Sequence, residues 1–283
     1  MAGLSLRRAA AAAVAAFAAL ASAACNRTEI LGTVNEYLQG LTTGLTHPIR
    51  NAGTNFKNIE NNKTLDIKTG VMSKGLTLDY NRTIVDTVDC ATHTEIIGAL
   101  SLDHFTKYVI GVQIRHSPED NRVFEVDSVV TTNGSWFFNA TSTLLHARAE
   151  TKAGNWDTQE PAKRSSRTEL KRVADAYLDM WTNKSAIAAI PFGTGCRRLE
   201  GGNYYGCTAG IPTNNSQLPN SHRRYVIDEA VGSVDVISIW EHLNDTIDNH
   251  EFRLESGKLQ WVHAMAWTDN RRCAEEKEGW RCR

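Results

Sequence analysis

The chain has 283 residues and a mass of 31.3 kDa, enough for one large domain or two small ones. Its 41% hydrophobic and 22% charged residues exclude wholesale disorder. With 31 Lys and Arg against 32 Asp and Glu, it lacks the basic excess of a nucleic-acid binder, and no nucleic-acid partner is expected.

The N-terminus reads as a signal peptide over residues 1–24. Arg7 and Arg8 precede an Ala-rich stretch from Ala9 to Ala24, which ends in small residues suited to cleavage. The stretch is shorter than the roughly 20 residues that span a bilayer. A secreted, extracellular chain with no membrane partner after cleavage is therefore expected. Eight N-x-[ST] sequons agree with a eukaryotic secretory route and mark glycosylation candidates: Asn26, Asn62, Asn81, Asn133, Asn139, Asn183, Asn214 and Asn244.

Ile30, Leu31, Val34, Tyr37, Leu38 and Leu41 fall at helical spacing, and Gly44 can stop that helix. A polar stretch follows, then strand-like runs at 76–80, 84–88, 95–100, 108–116 and 122–132. Tyr108, Ile110, Val112, Ile114 and His116 share one parity. Phe124, Val126, Ser128 and Val130 share another, opposite Glu125 and Asp127. The polar strand residues Asp86, His93, Glu95, Tyr108, His116 and Asp127 read mainly as a solvated sheet face. Residues 151–166, polar and holding Pro161, read as a linker.

The order then repeats. Leu170, Val173, Ala174, Tyr177, Leu178 and Trp181 form a helical stripe starting near Ser166. A Gly/Cys/Asn-rich region runs over 193–220. Strands follow at 224–228, 234–240, 250–255 and 259–267, the last two joined by a tight turn at Glu255-Ser256-Gly257-Lys258. Helix first, then antiparallel strands ending in a hairpin, occurs twice. The expected organisation is a first domain at 25–150, a linker at 151–166 and a second domain at 167–283. The fold class is α+β: two tandem cone-shaped rolls, each with helices packed on a curved antiparallel sheet that leaves a cavity.

Several segments carry a family resemblance. They are Pro191–Gly202 (PFGTGCRRLEGG), Arg223–Glu229, Asn249–Leu254 and Gly257–His263 in the second half. In the first they are Ile59–Lys63, Asp89–Glu95 and Asn133–Ala140. Together they resemble a domain of unknown function of secreted fungal proteins. That domain is similar to the SnoaL-like group of the nuclear-transport-factor-2-like (cystatin-like) superfamily. The resemblance covers nearly all of the mature chain and implies two tandem copies of the cone fold. That fold is used elsewhere by cyclases, isomerases, dehydratases, epoxide hydrolases and binding modules. It implies a cavity rather than a particular reaction.

Six cysteines allow 15 pairings. Proximity favours Cys196–Cys207 and Cys273–Cys282, leaving Cys25–Cys90. No CxxC pair and no zinc-type spacing is present, so neither metal nor cofactor is expected. There is no G-x-S-x-G, P-loop, G-x-G-x-x-G after a strand, or H-E-x-x-H.

In the last strand Leu259, Trp261, His263, Met265 and Trp267 alternate onto one face. His263 in this apolar row reads either as a core histidine hydrogen-bonded to a neighbour or as a base or acid whose pKa is lowered by desolvation and which a carboxylate orients. Asp228 would orient it or else form a salt bridge to Arg224 or Arg198, with Arg198 or Tyr225 polarising an oxygen. Arg198 and Glu200 share parity and form either an ion pair or a ligand clamp. Trp261, Glu200, Met265 and Trp267 are the expected ligand contacts. The expected partner is a small, largely apolar molecule, bound in the second cavity and open there to cofactor-free acid/base chemistry of the isomerase, cyclase or dehydratase type. The alternatives are a non-catalytic binding or effector protein, and a structural protein whose cavities are filled by their own side chains.

Overall fold

A computed structural model describes residues 25–44, 49–100, 107–212, 215 and 217–268. The expected signal peptide, the sequon at Asn214 and the expected Cys273–Cys282 pair lie outside these residues.

The first half opens with α1 (Arg27–Thr43). The Asn26 side chain caps it by accepting from the Thr28 and Glu29 amides, a contribution of about 1 kcal/mol. Gly44 ends it in the left-handed region at φ 64°. Six strands follow: β1 (Ala52–Glu60), β2 (Lys63–Thr64), β3 (Tyr80–Asp86), β4 (Ala91–Gly98), β5 (Tyr108–His116) and β6 (Val123–Thr131). α2 (Ala140–Lys152) closes the half. The second half begins with α3 (Arg167–Asp179), capped by Ser166 on the Glu169 amide. It continues through β7 (Phe192–Glu200), β8 (Asn203–Gly206), β9 (Asn220–Asp228), β10 (Ser233–Trp240), β11 (Thr246–Glu255) and β12 (Lys258–Trp267).

The strands form two six-stranded sheets, ordered β2-β1-β6-β5-β4-β3 and β8-β7-β12-β11-β10-β9. The two orders are the same path traced twice. Registers match as well: Glu60 faces Lys63 where Glu200 faces Asn203, and Ile59 faces Asp127 where Leu199 faces His263. The arrangement is α+β, but the sheets are mixed rather than antiparallel, because β1 pairs parallel to β6 and β7 parallel to β12. Sequence patterning misses β1 and β7 because both are rich in polar and Gly residues and carry no clean alternation. It also misses α2, whose buried face is short: Ala140, Leu144 and Ala147.

On one face of each sheet lies that half's own helix. Val34, Tyr37 and Leu41 of α1 meet Ile96, Ile110, Val112, Ile114 and Val126. Leu170, Val173, Ala174 and Tyr177 of α3 meet Val234, Val236, Phe252, Leu254 and Val262. The other faces turn toward each other. A third apolar cluster joins α2 and Val129 of the first half to Ile237, Ile247 and Met265 of the second. Asp86, His93, Glu95 and Asp127 are therefore buried between the halves, not solvated as their alternation alone suggests.

Two expected face assignments fail for one reason. Register shifts at the starts of β6 and β12 displace one residue each. Val123 and Leu259 enter the helix-side cores, while Phe124 is exposed. Leu259 thus lies opposite His263 rather than beside it, as a bulge requires.

The disulfides Cys25–Cys90 and Cys196–Cys207 are formed. The first ties the start of α1 to the β3–β4 turn. Among the described residues no helix is long and apolar enough to cross a membrane.

Candidate functional site

Two buried polar groupings compete for a functional role. The first fills the seam between the sheets. His263 Nδ1 lies 3.0 Å from Glu95 Oε1, and its Nε2 lies 2.7 Å from Glu150 Oε2. Trp156 Nε1 and the Tyr204 hydroxyl donate to Glu150 at 2.8 and 2.5 Å. Arg82 donates to both Glu95 and Glu251 and lies 3.6 Å over the Trp156 ring. His93 Nδ1 sits 3.1 Å from Asp235 in ion-pair range, and Asp235 accepts from Gln113 and Asn249.

The electrostatics follow from these partners. Burial works against a charged His263, but Glu95 and Glu150 outweigh it and raise the imidazole to about 10. Burial likewise opposes ionisation of Glu95 and Glu150, yet His263 holds both down at about 2. His263 is thus an imidazolium clamped by two carboxylates. This corrects the expectation of a depressed pKa: desolvation is present, but two adjacent anions overcome it. With no free lone pair, His263 cannot serve as a base in this state.

Asp228 does not orient His263. It accepts from Arg27 at 2.7 Å and from the Val85 amide at 2.9 Å. The counterpart Asp86 accepts from Arg167 at 2.8 Å and from the Ile227 amide at 2.9 Å. Arg27 and Arg167 each open a helix, and each reaches the other half's strand end. The two contacts form a reciprocal clasp about a pseudo-two-fold axis. Tyr225 is occupied elsewhere, donating to Asp175 at 2.6 Å beneath Lys171. Met265 packs in the inter-sheet cluster with Trp267 against it, and Trp261 pairs with Arg253 and Arg197 across the strands. These three therefore lie on the seam-facing side of β12, away from the helix-side face.

The second grouping lies on that helix-side face of the second half. Across β10 and β11, Val236 faces His250, Ser238 faces Asp248 and Trp240 faces Thr246. Across β11, β12 and β7, His250 faces Ala264, which faces Glu200. Asp248 pairs with His250 Nδ1 through a short contact. Arg198 Nε lies 3.0 Å from Glu200 Oε2, and its Nη1 donates to the Tyr177 hydroxyl at 3.2 Å. Trp240 stacks on His250 at 5.6 Å, and Trp181 approaches Trp240 at 5.2 Å. Burial pushes the Asp248 carboxyl up, and Glu200 adds to this, while His250 opposes it. Arg198 stays charged because Tyr177 and Glu200 outweigh its burial.

Besides Arg198 Nε, which lies in ion-pair range of Glu200 but makes no hydrogen bond, Trp181 Nε1, Trp240 Nε1, Ser238 Oγ and Asn220 Oδ1 have no hydrogen-bond partner. All four residues are more than nine-tenths buried. Such groups are rare in a settled core, because each leaves a desolvation penalty of about 1–3 kcal/mol. In the seam His263, Glu95, Glu150 and Glu251 are closely paired, while Arg82 Nε, His93 Nδ1, Asp127 Oδ1 and Arg224 Nη2 also lack a hydrogen-bond partner, each on a group already held in an ion pair.

The first half meets this site through Trp136. Trp136 Nε1 donates to Glu200 Oε1 at 3.0 Å. Gly201 makes the approach possible: at φ 57°, a Cβ there would lie 1.9 Å from the Phe137 carbonyl oxygen.

Of the residues named from sequence, Arg198 and Glu200 belong to this grouping, and His263, Asp228 and Tyr225 do not. Sequence reasoning missed Tyr177, Trp181, Ser238, Trp240, Asp248 and His250 as one set. A usable signal exists: Arg27-Thr28-Glu29 and Arg167-Thr168-Glu169 align the halves, and that alignment exposes polar-for-apolar replacements.

Residues 163–266 match a family model described as a domain of unknown function, DUF8021. No curated protein and no solved structure matches the chain.

Proposed function

We propose that the helix-side face of the second half is a binding chamber for a small molecule, within a secreted glycoprotein. The single observation that carries this is the set of four unpartnered, buried polar groups beside the Asp248–His250 and Arg198–Glu200 pairs. A guest, or water held in its place, supplies their missing partners. Each half would curve as a cone-shaped roll of the SnoaL-like kind, with the first copy as scaffold and the second as chamber. The Asp248–His250 pair can exchange a proton with a bound molecule, which suits cofactor-free isomerisation, cyclisation or dehydration.

Secretion is supported by the two disulfides and by the signal-like start of the sequence. Glycosylation is supported by the exposure of Asn26, Asn62, Asn81, Asn133, Asn139, Asn183 and Asn244.

A thermal-shift screen against small metabolites tests the chamber. A binding metabolite should raise the melting temperature of the intact chain. That increment should vanish in Asp248→Ile and persist in Ile110→Val, the matching position of the first half. Equal loss in both variants would refute the assignment.

A further inference from the structure

We infer that the chamber selects a neutral, flat molecule bearing a carbonyl-type oxygen, recognised by the indole N–H groups of Trp181 and Trp240. This rests on the reading of the second half's helix-side face as a binding chamber. Three features define the guest.

The first is the balance of missing partners. Trp181 Nε1 and Trp240 Nε1 can only donate, and Ser238 Oγ can donate as well. Only Asn220 Oδ1 asks for a donor, since its Nδ2 already bonds the Leu178 carbonyl at 3.0 Å. Acceptor oxygens on the guest would satisfy most of this set.

The second is charge. Arg198 is already compensated by Glu200, and Asp248 lies close to both. Two carboxylates face one guanidinium and one imidazole, so no positive charge is left over for an anion. A guest carboxylate would be buried against Glu200 and Asp248, which disfavours it strongly.

The third is shape. Trp240 lies nearly parallel to His250, with 16° between the rings, and Trp181 is beside it. The small Ala264 and Ala266 occupy the middle of the sheet between Glu200, His250 and Asp248. Neighbouring aromatic ring faces beside small alanines favour stacking of a planar ring over a branched chain.

The test uses three probes of equal heavy-atom count on the intact chain: acetophenone, isopropylbenzene and benzoate. Binding is followed through the indole N–H resonances, assigned with Trp181→Phe and Trp240→Phe. Acetophenone should bind at least fivefold more tightly than either other probe, about the effect of one added hydrogen bond. It should also move the Trp181 or Trp240 N–H resonance downfield. Trp240→Phe should reduce the preference over isopropylbenzene to less than twofold while the unfolding midpoint holds. Should that variant misfold, Ser238→Ala, which removes only a hydroxyl, should reduce the preference instead. Equal binding of isopropylbenzene, or tightest binding of benzoate, overturns the guest class but leaves a chamber standing. Failure of all three probes to move either resonance at millimolar concentration overturns the chamber as well.

Discussion

The two halves of the molecule share one frame but fill it differently. Their strand orders and registers coincide. Ile96, Ile110 and Val112 of the first half stand where Ser238, Asp248 and His250 stand in the second. Leu41 stands where Trp181 does, and Asn58 where Arg198 does. The first interior is mainly aliphatic, with His116 bonded to Thr33 and one unpartnered hydroxyl, that of Thr92. The second holds two ion pairs, four unpartnered polar groups and a row of aromatic rings. Two similar sheet units can thus be filled differently, one mainly by apolar packing and one with buried polar groups among its apolar ones. Charge burial alone does not distinguish the two groupings, since the seam buries more charge than the second half's helix-side face and holds it in ion pairs.

The largest expected effect breaks the seam. His263→Ala leaves Glu95 and Glu150 facing each other without their cation. A loss of about 3–5 kcal/mol is expected in denaturant unfolding, as for other broken buried ion pairs. Replacing both partners of the second half's pair, Asp248→Ile with His250→Val, should lose far less, because no buried charge is left unpaired. Equal losses would erase the distinction between the two groupings.

Next comes the contact between halves. Gly201→Ala places a Cβ on the Phe137 carbonyl at a positive φ, and a loss of about 2–4 kcal/mol is expected. Gly206→Ala, with open space around it, should stay within about 0.5 kcal/mol. Unfolding midpoints of the two variants check this directly.

The pH profile sharpens the comparison further. Glu95 and Glu150 are held at about 2, below the ordinary 4.5, so their contribution is lost as pH falls from 4.5 toward 2. His263 is raised from 6.5 to about 10, so its contribution is full below 6.5 and lost as pH rises toward 10. His116 is lowered by burial to about 4, which removes stability as pH falls from 6.5 through 4. Stability should therefore peak near pH 6.5 and decline on both sides. The alkaline limb should flatten in His263→Gln. A wild-type profile level up to pH 10 would contradict the clamped imidazolium.

The smallest effect concerns Trp136. Trp136→Phe removes the donor to Glu200 while keeping most of the ring. A loss of about 1.5–3 kcal/mol in stability is expected, the value of one hydrogen bond to a charged partner. Ligand-dependent stabilisation should fall as well, because Glu200 and Arg198 lose a fixed position.

The sequence made the repeat legible because apolar periodicity survives in both copies. Tyr37 and Tyr177, ten residues after Arg27 and Arg167, sit alike in their helices. It hid β1 and β7, whose polar and glycine residues carry no alternation. It misassigned His263, because alternation gives parity but cannot say which sheet face meets a helix and which meets the other half. Glu95 and Glu150 lie 168 and 113 residues from His263 along the chain, and no local pattern links them. Arg198 with Glu200 was readable, since both lie on one strand two residues apart.

The most direct test converts the second interior to the first. The triple variant Ser238→Ile, Asp248→Ile, His250→Val carries the first half's residues at matching positions. Unfolding free energy measured with and without acetophenone should show a variant at least as stable as the parent, as apolar replacement of buried polar pairs often gives, and no longer stabilised by the probe. A variant destabilised by more than about 3 kcal/mol, or one that still responds to acetophenone like the parent, would show that the polar interior holds the fold together rather than receiving a guest.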